Sequence, residues 1–391
     1  MKALFISMLK RSTLFATQTL TLAAGLSLFI VSCQRVQVPA PTNLPPALSA
    51  FQANAPRNST ENVTRRDLQT FGRHVFNLAH PIPDFSEIPA PPDNPVTQGK
   101  VELGFRLWFE PKLSANNRMS CATCHSHLSG FSNGEANAIG VVGKRGKRNV
   151  PTTYGSAYIH EAFWDGRAKT LEEQALMPIQ DPIEMNETLP NAIRKLGEIE
   201  YYRWKFKEVF NSEITPEGMG MALASFQRAL TLAPTPYEQY EQGNAQALTA
   251  EQKQGMDIFF GKGRCFTCHR GPALTNQTFA NIGIGMDQPQ PDLGRYNVTK
   301  MAWDRGAFKV PTLLNIARTA PYMHDGSLST LAEVIEHYNQ GGIANDNLDP
   351  RMGPLRLNNT EKKALEAFLH ALSAEDNFKV LNKLPGIHMP R

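Results

Sequence analysis

Cys121-Ala-Thr-Cys124-His125 and Cys265-Phe-Thr-Cys268-His269 are two copies of one short pattern. C-x-x-C-H is the attachment signature of a c-type haem: both thiols bond to the porphyrin, and the adjacent histidine becomes the proximal iron ligand. Two C-x-x-C pairs are also typical of a four-cysteine zinc site, and one pair of a redox dithiol. Because a histidine follows each pair at the same place, the sequence favours two covalently bound haems.

The remaining composition narrows the class of protein. The 391 residues contain five cysteines, so only Cys33 lies outside the two motifs and no pair remains for a disulfide. A chain of this length is usually divided into two domains. The formal net charge of +4 is too small to indicate a nucleic-acid partner, and no basic run is interleaved with aromatic residues.

The N-terminus predicts export. Residues 1–33 combine three early cations with an apolar stretch that ends in Ile30-Val31-Ser32-Cys33, which is typical of a lipoprotein signal peptide. We expect Cys33 to carry the lipid, and Gln34 favours the outer membrane as the anchoring site of this periplasmic protein. A cleaved soluble protein and an uncleaved membrane anchor are the alternatives. Residues 34–62 predict a Pro-rich tether.

The chain contains an internal repeat: a stretch after the first haem motif aligns with a stretch after the second motif at an offset of 160 residues. Val150-Pro151-Thr152 and Trp164-Asp165-Gly166 in the first stretch correspond to Val310-Pro311-Thr312 and His324-Asp325-Gly326 in the second. Such self-similarity indicates a duplicated unit. The sequence therefore predicts a mainly α-helical fold of two cytochrome c-like haem domains with little β structure. The expected divisions are an N-terminal extension over 63–95 and haem domains over 96–246 and 247–391.

Each repeat also contains the start of a helix. Thr-x-x-Glu occurs at 170–173 and at 330–333, and this spacing predicts a capping box. In the second helix four apolar positions from Leu331 to Tyr338 share one face, and Pro178 stands where the first repeat would place Tyr338. A tyrosine there is either an iron ligand or a core aromatic with a satisfied hydroxyl.

These residues resemble the bacterial dihaem cytochrome c peroxidase family, which includes the MauG enzymes. The similarity covers roughly residues 95–375. Besides the haem motifs it includes Arg148-Asn149-Val150-Pro151-Thr152, Phe163-Trp164-Asp165-Gly166-Arg167, Pro182-x-Glu184-Met185 and Ala320-Pro321-Tyr322-Met323-His324-Asp325-Gly326.

The resemblance implies roles for residues of the first repeat. The haem held by His125 would react with hydrogen peroxide, and Gln174 and Glu184 would be the amide and the carboxylate beside it. Glu184 would move a proton between the two peroxide oxygens, which is general acid–base catalysis. Trp164 would lie between the haems as an electron relay, although a large core aromatic is the simpler interpretation.

The resemblance also implies a calcium ion between the haems. Its ligands would be the side chain of Asn149 and the backbone carbonyls of Thr319 and Pro321. Oxygen ligands of this kind suit a hard cation.

Three positions depart from the family pattern. Val141 stands where peroxidases that need reductive activation have a blocking histidine, so we expect the first iron to be open. Tyr338 stands where conventional peroxidases have methionine and thus resembles MauG, with Met323 and Met352 as rival ligands of the second iron. Gly263 replaces the tryptophan through which MauG exchanges electrons with its protein substrate.

Three functions are compatible with this sequence. The favoured one is reduction of hydrogen peroxide with electrons from a small periplasmic cytochrome c or copper protein. The second is MauG-like oxidation of residues on a partner protein, and the third is electron transport without a substrate. Pro178, Val141 and Glu184 argue against the carrier, because they leave one iron open beside a proton-transfer group. The sequence is also compatible with a homodimer.

Overall fold

The computed structural model describes residues 84–381, 383 and 384. The predicted signal peptide, Cys33, the tether and residues 63–83 lie outside this range. The described remainder of the N-terminal extension contains a short 3₁₀-helix, Phe85–Glu87, that Asp84 caps through its side chain. None of the helices in the described part has the length and apolar character needed to cross a bilayer.

The described residues are mostly helical, which confirms the predicted fold class. Their β structure is one antiparallel pair, β1 Phe279–Ala280 with β2 Phe308–Lys309. That the two halves arose by duplication stays a prediction. The helices are α1 Gln98–Trp108, α2 Cys121–Cys124, α3 Leu171–Gln180, α4 Leu189–Gly197, α5 Glu200–Phe210, α6 Pro216–Ala229, α7 Pro236–Glu241, α8 Ala250–Phe260, α9 Tyr296–Thr299, α10 Leu331–Gln340, α11 Asn359–His370 and α12 Phe378–Leu381.

Helices α1 and α6 cross at the centre of the first hydrophobic cluster. They approach so closely at Gly104 that a Cβ atom there would overlap the carbonyl oxygen of Ala222. Phe105 packs edge-to-face against Phe226 with ring centroids 5.5 Å apart. The C-terminal α12 joins this cluster, because the ring of Phe378 stacks on Phe105 at 5.9 Å.

Helices α8 and α11 repeat this crossing in the second hydrophobic cluster. A Cβ atom on Gly255 would overlap the carbonyl oxygen of Ala364, and Phe259 packs edge-to-face on Phe368 at 5.3 Å. Each haem motif therefore follows a helix, α1 or α8, that a glycine allows to sit directly on its partner.

The helix starts lie where the Thr-x-x-Glu spacing predicts them. Helices α3 and α10 begin directly after Thr170 and Thr330, whose hydroxyls accept hydrogen bonds from the backbone three residues on. The reciprocal half of the box is present at Thr330, whereas the carboxylate of Glu173 accepts from the backbone N–H of Lys169. Both helices thus start at a fixed residue, which sets the positions of the residues on their inner faces.

Candidate active site

The first haem motif forms one helical turn, α2, which is followed directly by the part-buried imidazole of His125. The Nδ1 atom of His125 lies 2.9 Å from the carbonyl oxygen of Phe131. Because a carbonyl only accepts, Nδ1 carries the proton and Nε2 keeps its lone pair for a metal. Burial lowers the pKa of His125, so the ring is neutral, as a ligand must be. The indole of Trp108 packs against it at 5.5 Å.

The second motif has the same arrangement. The Nδ1 atom of His269 lies 3.1 Å from the carbonyl oxygen of Leu274, and burial lowers the pKa of this ring to about 4. None of Cys121, Cys124, Cys265 and Cys268 is paired in a disulfide. Across the described residues no three cysteine, histidine or acidic side chains are gathered to hold a metal ion, so the four thiols do not form one zinc site.

Threonine hydroxyls hold both histidine loops in place. Thr152 donates to the carbonyl of Gly130, and Thr312 donates to the carbonyl of Ala273, both at 2.6 Å. The Val-Pro-Thr segments therefore support the loops whose carbonyls contact His125 and His269.

A cavity of about 260 Å³, with walls that are mostly apolar, is lined by Cys265, Cys268 and His269 of the second motif. Tyr338 on α10 lines it too. Burial raises the pKa of Tyr338, and the charges of Cys268 and then Cys265 add to the rise, so the phenol lies close to these thiols. The residues present therefore fit a covalently bound haem. Met323 and Met352 also line the cavity, so all three candidate ligands are brought together.

In the first repeat, the loop that follows α3 packs against the segment around Val141. Pro178 lies in the last turn of α3, and its carbonyl accepts a hydrogen bond from Met185 at 3.2 Å, which folds the following loop back over the helix end. This loop carries Glu184, whose carbonyl accepts from the backbone N–H of Val141 at 2.8 Å. A side chain at Gly140 would overlap the loop backbone, so this close contact requires glycine.

Glu184 lies near both attachment thiols of the first motif. Burial raises the pKa of its carboxyl, and Asp181 adds to the rise while Arg167 opposes it. Burial raises the pKa of Cys121 to about 12 and that of Cys124 to about 11, and the charge of Glu184 contributes to both. The structure therefore places a half-buried carboxyl group beside the thiols of the first haem site.

Two further predicted positions, Gln174 and Val141, lie in the first repeat, and their roles stay predictions. Gln174 and Pro178 are four residues apart on α3 and share a helix face. Apart from His125 of the haem motif, the histidines nearest to Val141 in the sequence are His127, which stacks on Phe378 at 4.4 Å, and His160, which is exposed.

Trp164 lies at a contact between the two repeats. The backbone N–H of Asn149 donates to the carbonyl of His324, and the N–H of Lys309 donates to the carbonyl of Trp164, each at 2.7 Å. The two donors are 160 residues apart in the chain, and so are the two acceptors. The repeats therefore exchange equivalent hydrogen bonds. The rings of Trp164 and His324 meet edge-to-face at 6.5 Å, and His324 stacks on Phe308.

The sequence did not predict a role at this contact for His324, Asp292 or Lys309. His324 could have been found, because it aligns with Trp164 in the repeat. Arg148 bonds Asp165 at 2.6 Å and Asp292 at 2.7 Å, but Asp292 belongs to no motif. Burial lowers the pKa of Lys309 to about 8, against the opposing charge of Glu161.

The three residues of the predicted calcium site line the same cavity. Asn149 and Thr319 are buried, and the amide nitrogen of Asn149 donates to the backbone carbonyls of Glu135 and Ala136 at 3.0 and 3.3 Å. Pro321 follows a cis peptide bond. All three residues line one cavity, and the calcium ion itself stays a prediction.

Comparison with known proteins gives a consistent result. Residues 98–246 match the family model described as di-haem cytochrome c peroxidase. The methylamine utilization protein MauG of Methylorubrum extorquens is 37% identical over 302 residues, which cover 76% of this chain and 85% of that protein. The cytochrome c551 peroxidase of Nitrosomonas europaea is 34% identical, covering 73% and 84%. A crystal structure of a MauG-like protein associated with microbial copper homeostasis superposes with a TM-score of 0.71 at 32% identity, covering 81% of this chain and 99% of that one.

Proposed function

The chain belongs to the di-haem cytochrome c peroxidase family, and on this premise we propose that it reduces hydrogen peroxide to water in the periplasm, with electrons from a small cytochrome c or copper protein. Membership of the family means an oxidoreductase that acts on peroxide and binds two c-type haems. When bound, the haems supply iron that takes up and passes on electrons. The rest of the reaction is the work of side chains.

Glu184 is the proposed proton-transfer residue. Peroxide needs two electrons and two protons to become two water molecules, and the O–O bond breaks readily only if the leaving oxygen is protonated. A carboxylate beside the attachment thiols can accept the proton of one oxygen and deliver it to the other. Its position and raised pKa are the observation that carries the proposal. Gln174 would donate a hydrogen bond to the bound peroxide.

The second site is proposed to handle electrons. Tyr338 and His269 would together hold the second iron, and a site filled by both side chains would exclude peroxide. A phenolate favours the oxidised state of iron more than a thioether does. Trp164, packed between the repeats and hydrogen-bonded through Nε1 to the carbonyl of Asn149 at 2.9 Å, would connect the two sites.

A steady-state assay of peroxide consumption tests the proposal. The purified two-haem protein should oxidise a reduced small cytochrome c or copper protein with a stoichiometry of two electrons per peroxide. It should do so without prior reductive activation, because Val141 stands where the blocking histidine would be. A ferric spectrum that contains only low-spin, six-coordinate haem would contradict the open first iron.

MauG-like oxidation of a partner protein is the second candidate. Tyr338 in the place of methionine favours it, as do relatives that are named MauG. Gly263 argues against it, because this residue lines the cavity of the second motif at the position where the resemblance places the exchange tryptophan of MauG. Peroxide-dependent oxidation of residues on a protein partner, with no steady turnover of small donors, would decide for this alternative.

A calcium ion held by Asn149, Thr319 and Pro321 is part of the proposal. Its support is that the three residues line one cavity at the contact between the repeats. Such an ion would fix the separation of the two sites. Removal with a chelator should therefore lower peroxidase activity, and added calcium should restore it.

Export with a lipid at Cys33 completes the proposal, supported by the apolar stretch and the Ile30-Val31-Ser32-Cys33 sequence. Mass spectrometry of the mature N-terminus and fractionation of the envelope would test it. Recovery of the Cys33→Ser variant in the same membrane fraction would contradict the lipid anchor.

A further inference from the structure

An exposed apolar surface lies outside both haem sites, in and after α9. Val298, Met301 and Trp303 are 41%, 48% and 71% exposed. Scattered exposed apolar residues are ordinary, but three within six residues, with an indole most of whose surface faces solvent, are typical of a protein contact. Together with Lys300 and Arg305 they form the region that we call the Trp303 surface.

Two cations frame this surface. The ammonium of Lys300 and the guanidinium of Arg305 lie over the ring of Tyr296, 5.7 and 5.2 Å from its centroid. In the described part of the chain neither forms an ion pair with a carboxylate. The carboxylate of Asp304 is bonded to the hydroxyl of Thr299 at 2.6 Å. An apolar centre with an unneutralised positive rim complements a partner whose own apolar patch is ringed by carboxylates.

The Trp303 surface is the outer side of a wall of the second haem cavity. The carbonyl of Ala302 accepts from the side chain of Asn347 at 3.0 Å, and that of Arg305 accepts from Asn281 at 2.8 Å. Gly306 follows at once and lines the cavity that contains His269. A protein bound here would thus be separated from that cavity by little more than the thickness of one loop.

We infer that the Trp303 surface is the docking site for a small, acidic electron-donor protein. The inference rests on the proposed function, because a donor is needed only if the enzyme takes electrons from a protein. It supplies an exposed indole at a different place in the chain from Gly263. Trp303 provides the central contact, and the two cations steer the acidic partner and make its binding depend on ionic strength.

Succinylated cytochrome c, whose lysines are converted into carboxylates, is a suitable acidic probe, and unmodified cytochrome c is its basic counterpart. The two-haem protein is assayed as wild type, Trp303→Ala and the double variant Lys300→Glu with Arg305→Glu. Trp204→Ala is the matched control, because that indole is 56% exposed on α5. Binding of the acidic probe is measured separately by calorimetry, without peroxide.

Trp303→Ala should weaken binding of the acidic probe and raise its KM by about tenfold. Its ratio of activity with the probe to activity with a small-molecule reductant should fall by the same factor. The double charge reversal should remove the salt dependence and make the basic cytochrome the better donor. Trp204→Ala should match wild type in every measurement.

Equal binding of the acidic probe by wild type and both surface variants would overturn the inference. So would a dimer in ultracentrifugation that Trp303→Ala converts to monomers, since the surface would then be a self-contact. Failure of the wild type to consume peroxide with any reductant would refute the proposed function instead, and calorimetry would still decide the docking question.

Discussion

Glu184 combines half-burial, a raised pKa and proximity to Cys121 and Cys124. A carboxyl with these properties can exchange a proton with a bound peroxide near neutral pH, which an ordinary solvated glutamate does less well. Replacement by glutamine keeps the shape and removes the proton exchange. Glu184→Gln should therefore lower kcat for peroxide by about 100-fold or more. Glu198→Gln, at an exposed glutamate, should leave it unchanged, and a full rate in Glu184→Gln would assign proton transfer to another group.

The pH profile gives an independent test of the same residue. Glu184 must be ionised to accept the first proton, so activity should fall as the pH drops through its pKa. Because burial and Asp181 raise this pKa, the acid limb should lie above the ordinary glutamate value of about 4.3. In a profile of kcat/KM against pH, the wild type should show this fall of activity at acid pH. The Glu184→Gln variant should not show it. A limb that persists unchanged would belong to some other group.

Tyr338, Met323 and Met352 line one cavity. The second iron ligand could therefore be the phenol oxygen of Tyr338 or the thioether sulfur of either methionine. Tyr338→Phe removes one oxygen and keeps the ring. If the phenol is the ligand, the low-spin ferric signal of the second haem should disappear in electron paramagnetic resonance. Met323→Leu and Met352→Leu should leave that signal as it is. A Tyr338→Phe spectrum identical to wild type would transfer the ligand role to a methionine.

How much of the site was predictable differs from residue to residue. The C-x-x-C-H motifs and the caps at Thr170 and Thr330 follow from short spacings, because each is a local interaction along the chain. Glu184 came only from the resemblance, since it lies in a loop without periodicity. Asp292 had no local signal, because its contact with Arg148 joins residues 144 positions apart in the chain.

At the scale of secondary structure, two glycines set how closely the paired helices pack. Gly255 on α8 faces the backbone of Ala364 on α11 without room for a methyl group. Gly255→Ala should push these helices apart and destabilise the fold by about 1–3 kcal/mol, the usual range for overpacking. Urea unfolding followed by circular dichroism would measure it. Gly197→Ala is the matched control, because no atom lies within 4 Å of its added Cβ, and equal stability of the two variants would contradict the close crossing.

Across the whole molecule, the two repeats are joined by more than apolar contact. They exchange the hydrogen bonds of Asn149 and Lys309, and the helix-poor region around Asp292 is tied to Arg148. The haem sites would thereby keep a fixed separation, which electron transfer between them requires. Short motifs in the sequence predicted the two sites. The contact between the repeats was not predicted, because it depends on residues that lie far apart in the chain.

The ion pair of Arg148 with Asp292 offers a test of this connection. Burial tends to raise the pKa of Asp292, but the hydrogen bond from Arg148 prevails and lowers it. A carboxyl with a lowered folded-state pKa contributes stability above its unfolded pKa of about 3.9, and that stability is lost as the pH falls through the folded value. Asp292→Asn should therefore cost about 1–3 kcal/mol at pH 7 and progressively less below about pH 4.

Glu198→Gln is the control for that measurement, because it breaks an ion pair with Arg194 whose side chains are 61% and 55% exposed. Such a pair contributes at most about 0.5 kcal/mol, since water screens it. Urea unfolding at several pH values would compare the two variants. If Asp292→Asn cost no more than the control, the Arg148 pair would not hold the repeats together, and their separation would rest on the backbone exchange and the apolar core.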